Sequence, residues 1–125
     1  MSELFERFRA AQQAIITRDD EAFLDLLTDD VEYHYHVGTR PLIGKEWVQK
    51  FLIKYREVTS DAQWVIHNHA ENGNILFTEG VEEYFDVRSQ MTISHPYAGV
   101  IEFRDGKIVK WKDYFEMNSV RDSEG

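Results

Sequence analysis

The stretch VKWKDYFEM, Val109 to Met117, decides how the chain folds. Read as a strand, its period of two turns Val109, Trp111, Asp113 and Phe115 to one face and Lys110, Lys112, Tyr114 and Glu116 to the other. Three of the first four are large and apolar, so that face belongs against a core. The fourth is a carboxylate, which is costly to take out of water unless it is paired or neutralised. Either Asp113 orders the core through a tyrosine or a backbone N–H, or it serves a site.

The same alternation runs back through the second half of the chain. DAQWVIHNHAE (61–71), ILFTEGVEEYFDV (75–87) and MTISHPYAGVIEF (91–103) are long β-forming runs. The turn signals NGN and RDG separate them from one another and from KIVKWKDYFEM, which predicts an antiparallel meander. The first half has helical spacing instead. Leu4, Phe5, Phe8, Ala11, Ile15 and Ile16 mark a helix over 2–17, with Ser2 as N-cap. RDDEAFLDLLTDD is a short helix capped by Asp19 or Asp20, with Phe23, Leu26 and Leu27 inward, and KEWVQKFLIKYREV (45–58) carries the stripe Trp47, Val48, Phe51, Leu52 and Tyr55. Between them VEYHYHV predicts a short strand, Val31 to Val37, and GTRPLIG a loop. The expectation is an α+β domain: three N-terminal helices and a short strand packed on a curved four-stranded antiparallel sheet. Residues 1–118 form a single domain in this reading, and 119–125 a polar tail.

Composition narrows the partners. A chain of 125 residues is long enough for one core, and its formal net charge of −9 speaks against nucleic acid or an anionic membrane, which attract basic patches. No apolar run approaches the ~20 residues that span a bilayer, and the charged N-terminal segment has no signal-peptide core. The chain has no cysteine, which excludes a disulfide framework or a thiolate zinc site and fits a cytoplasmic protein. There is no glycine-rich phosphate loop, and no cofactor is implied. Aromatic residues make up 14%, enough to line an apolar cavity for a small hydrophobic ligand.

DGKIVKWKDYFE and NGNILFTEGVEE, set in this order of elements, resemble the nuclear transport factor 2-like superfamily, in particular its SnoaL-like branch with the limonene-1,2-epoxide hydrolases. The resemblance implies a cone-shaped, cystatin-like α+β barrel whose concave sheet face and helices enclose an apolar pocket. It also implies Asp113 as general base, since WKDYF matches the segment carrying the base, with Trp111 on the pocket wall. Epoxide hydrolases of this type join that base to a second aspartate through an arginine. In TEGVE, Glu82 stands at the acid's position and Gly80 at the arginine's. Without a guanidinium, two close carboxylates must share a proton or stay apart.

On that match Leu76, Thr78, Gly80, Glu82 and Tyr84 face inward, as do His95, Tyr97, Gly99, Ile101 and Phe103 on the next strand. Trp64, Ile66, Asn68 and Ala70 join them, and Tyr33 and Tyr35 go inward with Val31. The candidate catalytic residues are therefore Asp113, Glu82 and His95, with Trp111, Tyr33, Tyr35, Asn68 and Tyr97 as ligand-binding residues. His34/His36 and His67/His69 form two H-x-H pairs, a spacing that suits a metal, but the phasing turns both outward and no metal is assigned. Val65, Phe77, Val81, Val100 and Ile108 fall on the convex face, where a homodimer through the sheets would cover them. The expected function is cofactor-independent hydrolase or isomerase chemistry on a hydrophobic, oxygenated compound. The alternatives are a non-catalytic binding protein for a lipophilic ligand and an interaction domain that uses the convex sheet.

Overall fold

A computed structural model describes residues 3–115, so the Ser2 cap and the polar tail at 119–125 lie outside the described residues. Helix α1 (Glu3–Thr17) buries Phe8, Ala11, Gln12, Ala14 and Ile15 along one stripe. Arg18 takes a left-handed conformation (φ 62°) and turns the chain. Asp19 caps α2 (Asp20–Asp25) by accepting the Ala22 N–H at 3.2 Å, which decides between the two candidate caps. Strand β1 (Leu27–His34) begins and ends earlier than the alternation of VEYHYHV predicts. The reason is non-local: the Ile108 N–H donates to the Leu26 carbonyl at 2.8 Å, drawing Leu27 out of the helix and beside the last strand.

The loop predicted over GTRPLIG contains strand β2 (Leu42–Ile43), paired antiparallel with β1. Helix α3 (Lys45–Val58) follows, burying Val48 and Leu52 but leaving Trp47 exposed under Lys50, whose ammonium sits 4.5 Å from the ring centroid. Then come β3 (Thr59–Asn72), β4 (Ile75–Asp86), β5 (Met91–Arg104) and β6 (Lys107–Tyr114). The sheet has six strands in the order β2-β1-β6-β5-β4-β3, not four. The last four form the predicted antiparallel meander, while β1 runs parallel to β6. Among the described residues no helix is long and apolar enough to cross a membrane.

Two irregularities in register redirect side chains. On β6, Glu102 pairs with Lys110 but Phe103 pairs with Ile108, so Val109 is an extra residue. That bulge turns Ile108 into the core, fully buried, and removes it from the convex face where strict alternation puts it. On β3, Gly80 pairs with Ile66 but Glu79 pairs with Asn68, which makes His67 the extra residue. The phase of β3 reverses beyond it: Asn68 stands exposed and bonds Glu79 at 2.8 Å.

The core joins the helices to the inner sheet face. Phe8, Ala11 and Phe23 meet Leu76, Ile101, Phe103, Ile108 and Trp111, with Val48 and Leu52 from α3. Phe8 meets the Trp111 ring edge-on at 5.1 Å. Each of these large side chains contributes about 1.5–3 kcal/mol by leaving water. One end of the helix layer packs in this way; the other leaves a cavity.

Candidate active site

The cavity has a volume of about 340 Å³ and lies where α3 stands off the sheet. Its walls are mostly aromatic: Tyr33 and Tyr35 from β1 and the residues after it, Phe51 and Tyr55 from α3, Tyr84 from β4, and Phe115 past the end of β6. Tyr35 and Phe51 stack at 4.7 Å, and Phe51 stacks on Tyr55 at 5.9 Å. Set into this lining are Asp113, Glu82 and His95, with His36 and Arg88.

Asp113 is buried, and its Oδ1 accepts the Trp111 indole N–H at 3.0 Å. The two residues are i, i+2 on one strand face, so the bond follows from the strand itself. Thr78, Gly99 and Asp113 form one row across three strands. A methyl group at Gly99 would stand 2.8 Å from Thr78 Oγ1 and 3.5 Å from Asp113 Oδ1, so the glycine makes the space the carboxyl fills. Burial drives the Asp113 pKa well above the ordinary carboxylate range, and the charge of Glu82 adds to it; the indole bond works weakly in the other direction.

Glu82 and His95 are direct cross-strand neighbours, with His95 Nε2 3.3 Å from Glu82 Oε1. The Tyr55 hydroxyl donates to the other oxygen at 3.4 Å. His95 Nδ1 lies 3.1 Å from the Pro96 carbonyl, which can only accept, so Nδ1 carries a hydrogen. The second ring nitrogen faces a carboxylate, and the pair therefore holds one further proton between them. Burial opposes charge on His95, but the bond and charge of Glu82, with the Pro96 carbonyl, outweigh it and raise the His95 pKa. Burial also raises Tyr33 and Tyr55 well above the usual phenol range, reinforced for Tyr33 by Asp113 and for Tyr55 by Glu82. Both phenols keep their protons.

The structure thus brings Asp113, Glu82, His95, Tyr33 and Tyr35 to one cavity. It separates the other three candidates from it. Trp111 is not on the wall but in the core, acting on Asp113 from behind. Tyr97 is buried beside Gln12 and Thr78, and burial pushes its hydroxyl up to about 12. Asn68 is on the outer face, for the reason given by the His67 bulge. Reasoning from alternation missed His36, which reaches the cavity because β1 stops at His34; its ring stacks on Phe115 at 4.1 Å. Tyr55 and Phe51 carried a signal, as tyrosine and phenylalanine on the inner stripe of α3, whereas Arg88 in the β4–β5 turn carried none.

The H-x-H pairs do not converge, since β1 and β3 are separated by three strands. His34 bonds Glu32 at 2.6 Å, and His69 stacks on Phe5 at 3.8 Å. Among the described residues no three His, Asp or Glu side chains group as metal ligands. Gly80, which the resemblance sets at the epoxide hydrolases' arginine, is closed to any side chain: a Cβ would lie 1.9 Å from the Val65 carbonyl oxygen.

Solved structures share this architecture. An LEH-like epoxide hydrolase from M. tuberculosis superposes with a TM-score of 0.83 at 22% identity, covering 96% of this chain and 87% of its own. A protein described as a SnoaL-like polyketide cyclase, from Shewanella putrefaciens CN-32, gives a TM-score of 0.88 at 11% identity over 98% and 96%. TerC, co-crystallised with polyporic acid, gives 0.82 at 22% identity over 97% of each chain. At such identities the likeness is one of fold, the nuclear transport factor 2-like fold. The family assignment comes from the sequence: a family model for the SnoaL-like domain matches residues 5–111, and the chain belongs to that family.

Proposed function

We propose that the protein is a cofactor-independent acid–base enzyme acting on a hydrophobic, oxygenated small molecule, of hydrolase or isomerase type. One observation carries this reading: a buried carboxyl that forms no ion pair among the described residues, Asp113, shares an aromatic cavity with a second carboxylate already linked to a histidine. Groups held at different protonation states in one cavity are what proton transfer to and from a bound ligand requires. Asp113 and the Glu82–His95 pair are the proton-handling groups, and Tyr33 and Tyr35 bind the ligand. The fold neighbours, among them an LEH-like epoxide hydrolase and a protein described as a polyketide cyclase, support an oxygenated small molecule as substrate. The cysteine-free chain suits a reducing cytoplasm, and a second copy covering the convex sheet face completes the molecule as a homodimer.

The competing reading, a lipophilic-ligand binder without activity, draws on Gly80, where no guanidinium can stand. Asp113→Asn separates the two. Hydration of styrene oxide and isomerisation of a β,γ-unsaturated ketone are the first assays. For an enzyme, kcat should fall by about 10²–10⁴-fold while ligand affinity changes little. Wild type inert towards epoxides and enones, with the variant binding the same ligands equally well, identifies a binder.

A further inference from the structure

We propose that Trp111 is a positioning residue that fixes the proton of Asp113 on Oδ2, so that Asp113 meets the ligand as a hydrogen-bond donor and the site selects an oxygen that only accepts, such as a carbonyl or epoxide oxygen. This rests on the acid–base reading above and assigns the direction of proton flow which that reading leaves open.

The geometry turns on what an indole can do. Its N–H donates and has no acceptor function. A neutral carboxyl offers such a donor its better acceptor, the C=O oxygen, and Trp111 Nε1 addresses Oδ1 at 3.0 Å inside the core. Oδ1 is also the oxygen beside the sheet, 3.5 Å from where a methyl group on Gly99 would stand. Asp113 lines the cavity; with Oδ1 taken by the indole N–H, Oδ2 is the oxygen assigned to it. Among the described residues Asp113 forms no ion pair with a cation. The titratable and charged groups that share the cavity with Asp113 are Tyr33 from β1, Tyr35 and His36 after it, Tyr55 from α3, Glu82 and Tyr84 from β4, Arg88 in the β4–β5 turn and His95 from β5, while Tyr97 of β5 acts on it from the core. His95 is engaged by Glu82, Arg88 at the cavity's turn is held by Asp86, and His36 stacks on Phe115 with its Nε2 3.2 Å from the Phe115 carbonyl. Burial and the Glu82 charge both favour the neutral carboxyl. A neutral Asp113 with its hydroxyl on Oδ2 presents an O–H to the cavity.

The chemistry then runs from Asp113 towards the ligand. Its O–H bond breaks as the proton passes to the ligand oxygen, which takes the electron pair of the opening C–O or polarised C=O bond. The Glu82–His95 pair takes one proton in return, from an attacking water or from a C–H bond next to the carbonyl. The two carboxyls exchange protonation states in that step and then reset. In isomerisation Asp113 takes back the enol O–H proton as the Glu82–His95 pair protonates the other carbon; after epoxide opening the pair gives its proton to solvent while Asp113 takes one from it.

The test reads the proton directly. Infrared difference spectra of wild type against Asp113→Asn at neutral pH should show one protonated-carboxyl C=O band, and Trp111→Phe should shift it. In binding, 1-tetralone (acceptor only) should exceed 1-tetralol (donor and acceptor) by about tenfold, the worth of one hydrogen bond, and Trp111→Phe should erode the preference. Carboxylate bands alone, or a tetralol that binds as well as the ketone, overturn the inference and leave Asp113 as a base in an intact acid–base site. A protonated band with the ketone preference, in a wild type that turns over neither epoxide nor enone, upholds the inference on the proton's place and defeats the enzyme reading. If Trp111→Phe does not fold, the wild-type band and the ketone preference still decide.

Discussion

Asp113 weakens the fold that holds it. In the unfolded chain it ionises near pH 4, whereas the folded chain holds the proton to a higher pH. The unfolded state therefore releases a proton first, and stability falls as pH rises from about 4 towards the folded pKa. His95 acts with the same sign: its raised pKa adds stability below about pH 6.5 that is lost as pH rises through the folded value. Asp113→Asn should thus be more stable than wild type at neutral pH and indistinguishable below pH 4, with Tm rising by roughly 4 °C for each kcal/mol recovered. Thermal melts across pH 3–8 check this, and equal slopes for the two proteins would refute it. Glu82→Gln should lower the pKa of both Asp113 and His95, because one carboxylate raises both; carboxyl and imidazole NMR titrations measure each. These three residues were legible in the sequence because alternation on β4, β5 and β6 beyond the Val109 bulge puts them on one face, which the family resemblance turned inward. Trp111 was placed on that face correctly but given the wrong neighbour. Alternation tells which side a ring takes, not whether it meets a cavity or the helices above.

At the scale of elements, the misreadings trace to single inserted residues. Val109 and His67 are each one residue too many for the ladder, and neither a valine nor a histidine announces a bulge. Ile108 and Asn68 consequently fell on the wrong faces. Gly80 has a physical explanation that only the fold supplies: the β3 backbone passes where its side chain would be. Placing an arginine there to restore an epoxide hydrolase triad should therefore fail. Gly80→Ala should already cost about 3 kcal/mol or more, since backbone rather than a movable side chain stands in the way. Urea denaturation of Gly80→Ala gives the number, and a loss below 1 kcal/mol would mean that β3 yields easily. The parallel β1–β6 pair was illegible for another reason. The alternation of VEYHYHV announces a strand, but nothing within it names a partner lying most of the chain away.

For the whole molecule, the convex face is the surface left to explain. Val65 is 49% and Phe77 41% exposed, on adjacent strands β3 and β4, and Ile108 no longer belongs with them. If a second copy covers this strip, Phe77→Glu should convert a dimer to a monomer in sedimentation at micromolar concentration without changing the circular dichroism. A wild-type monomer would remove the proposal. The order of strands has one more consequence. Among the described residues β6 is the last strand in chain order, yet it lies between β1 and β5. While the chain is being synthesised, both of those strands wait with one open edge, and the tryptophan that anchors the core is still inside or near the ribosome. The domain cannot close from its beginning; it closes from its end. The same final strand delivers Asp113, so an interrupted translation product lacks the acid as well as the fold, and no half-made chain carries half the chemistry.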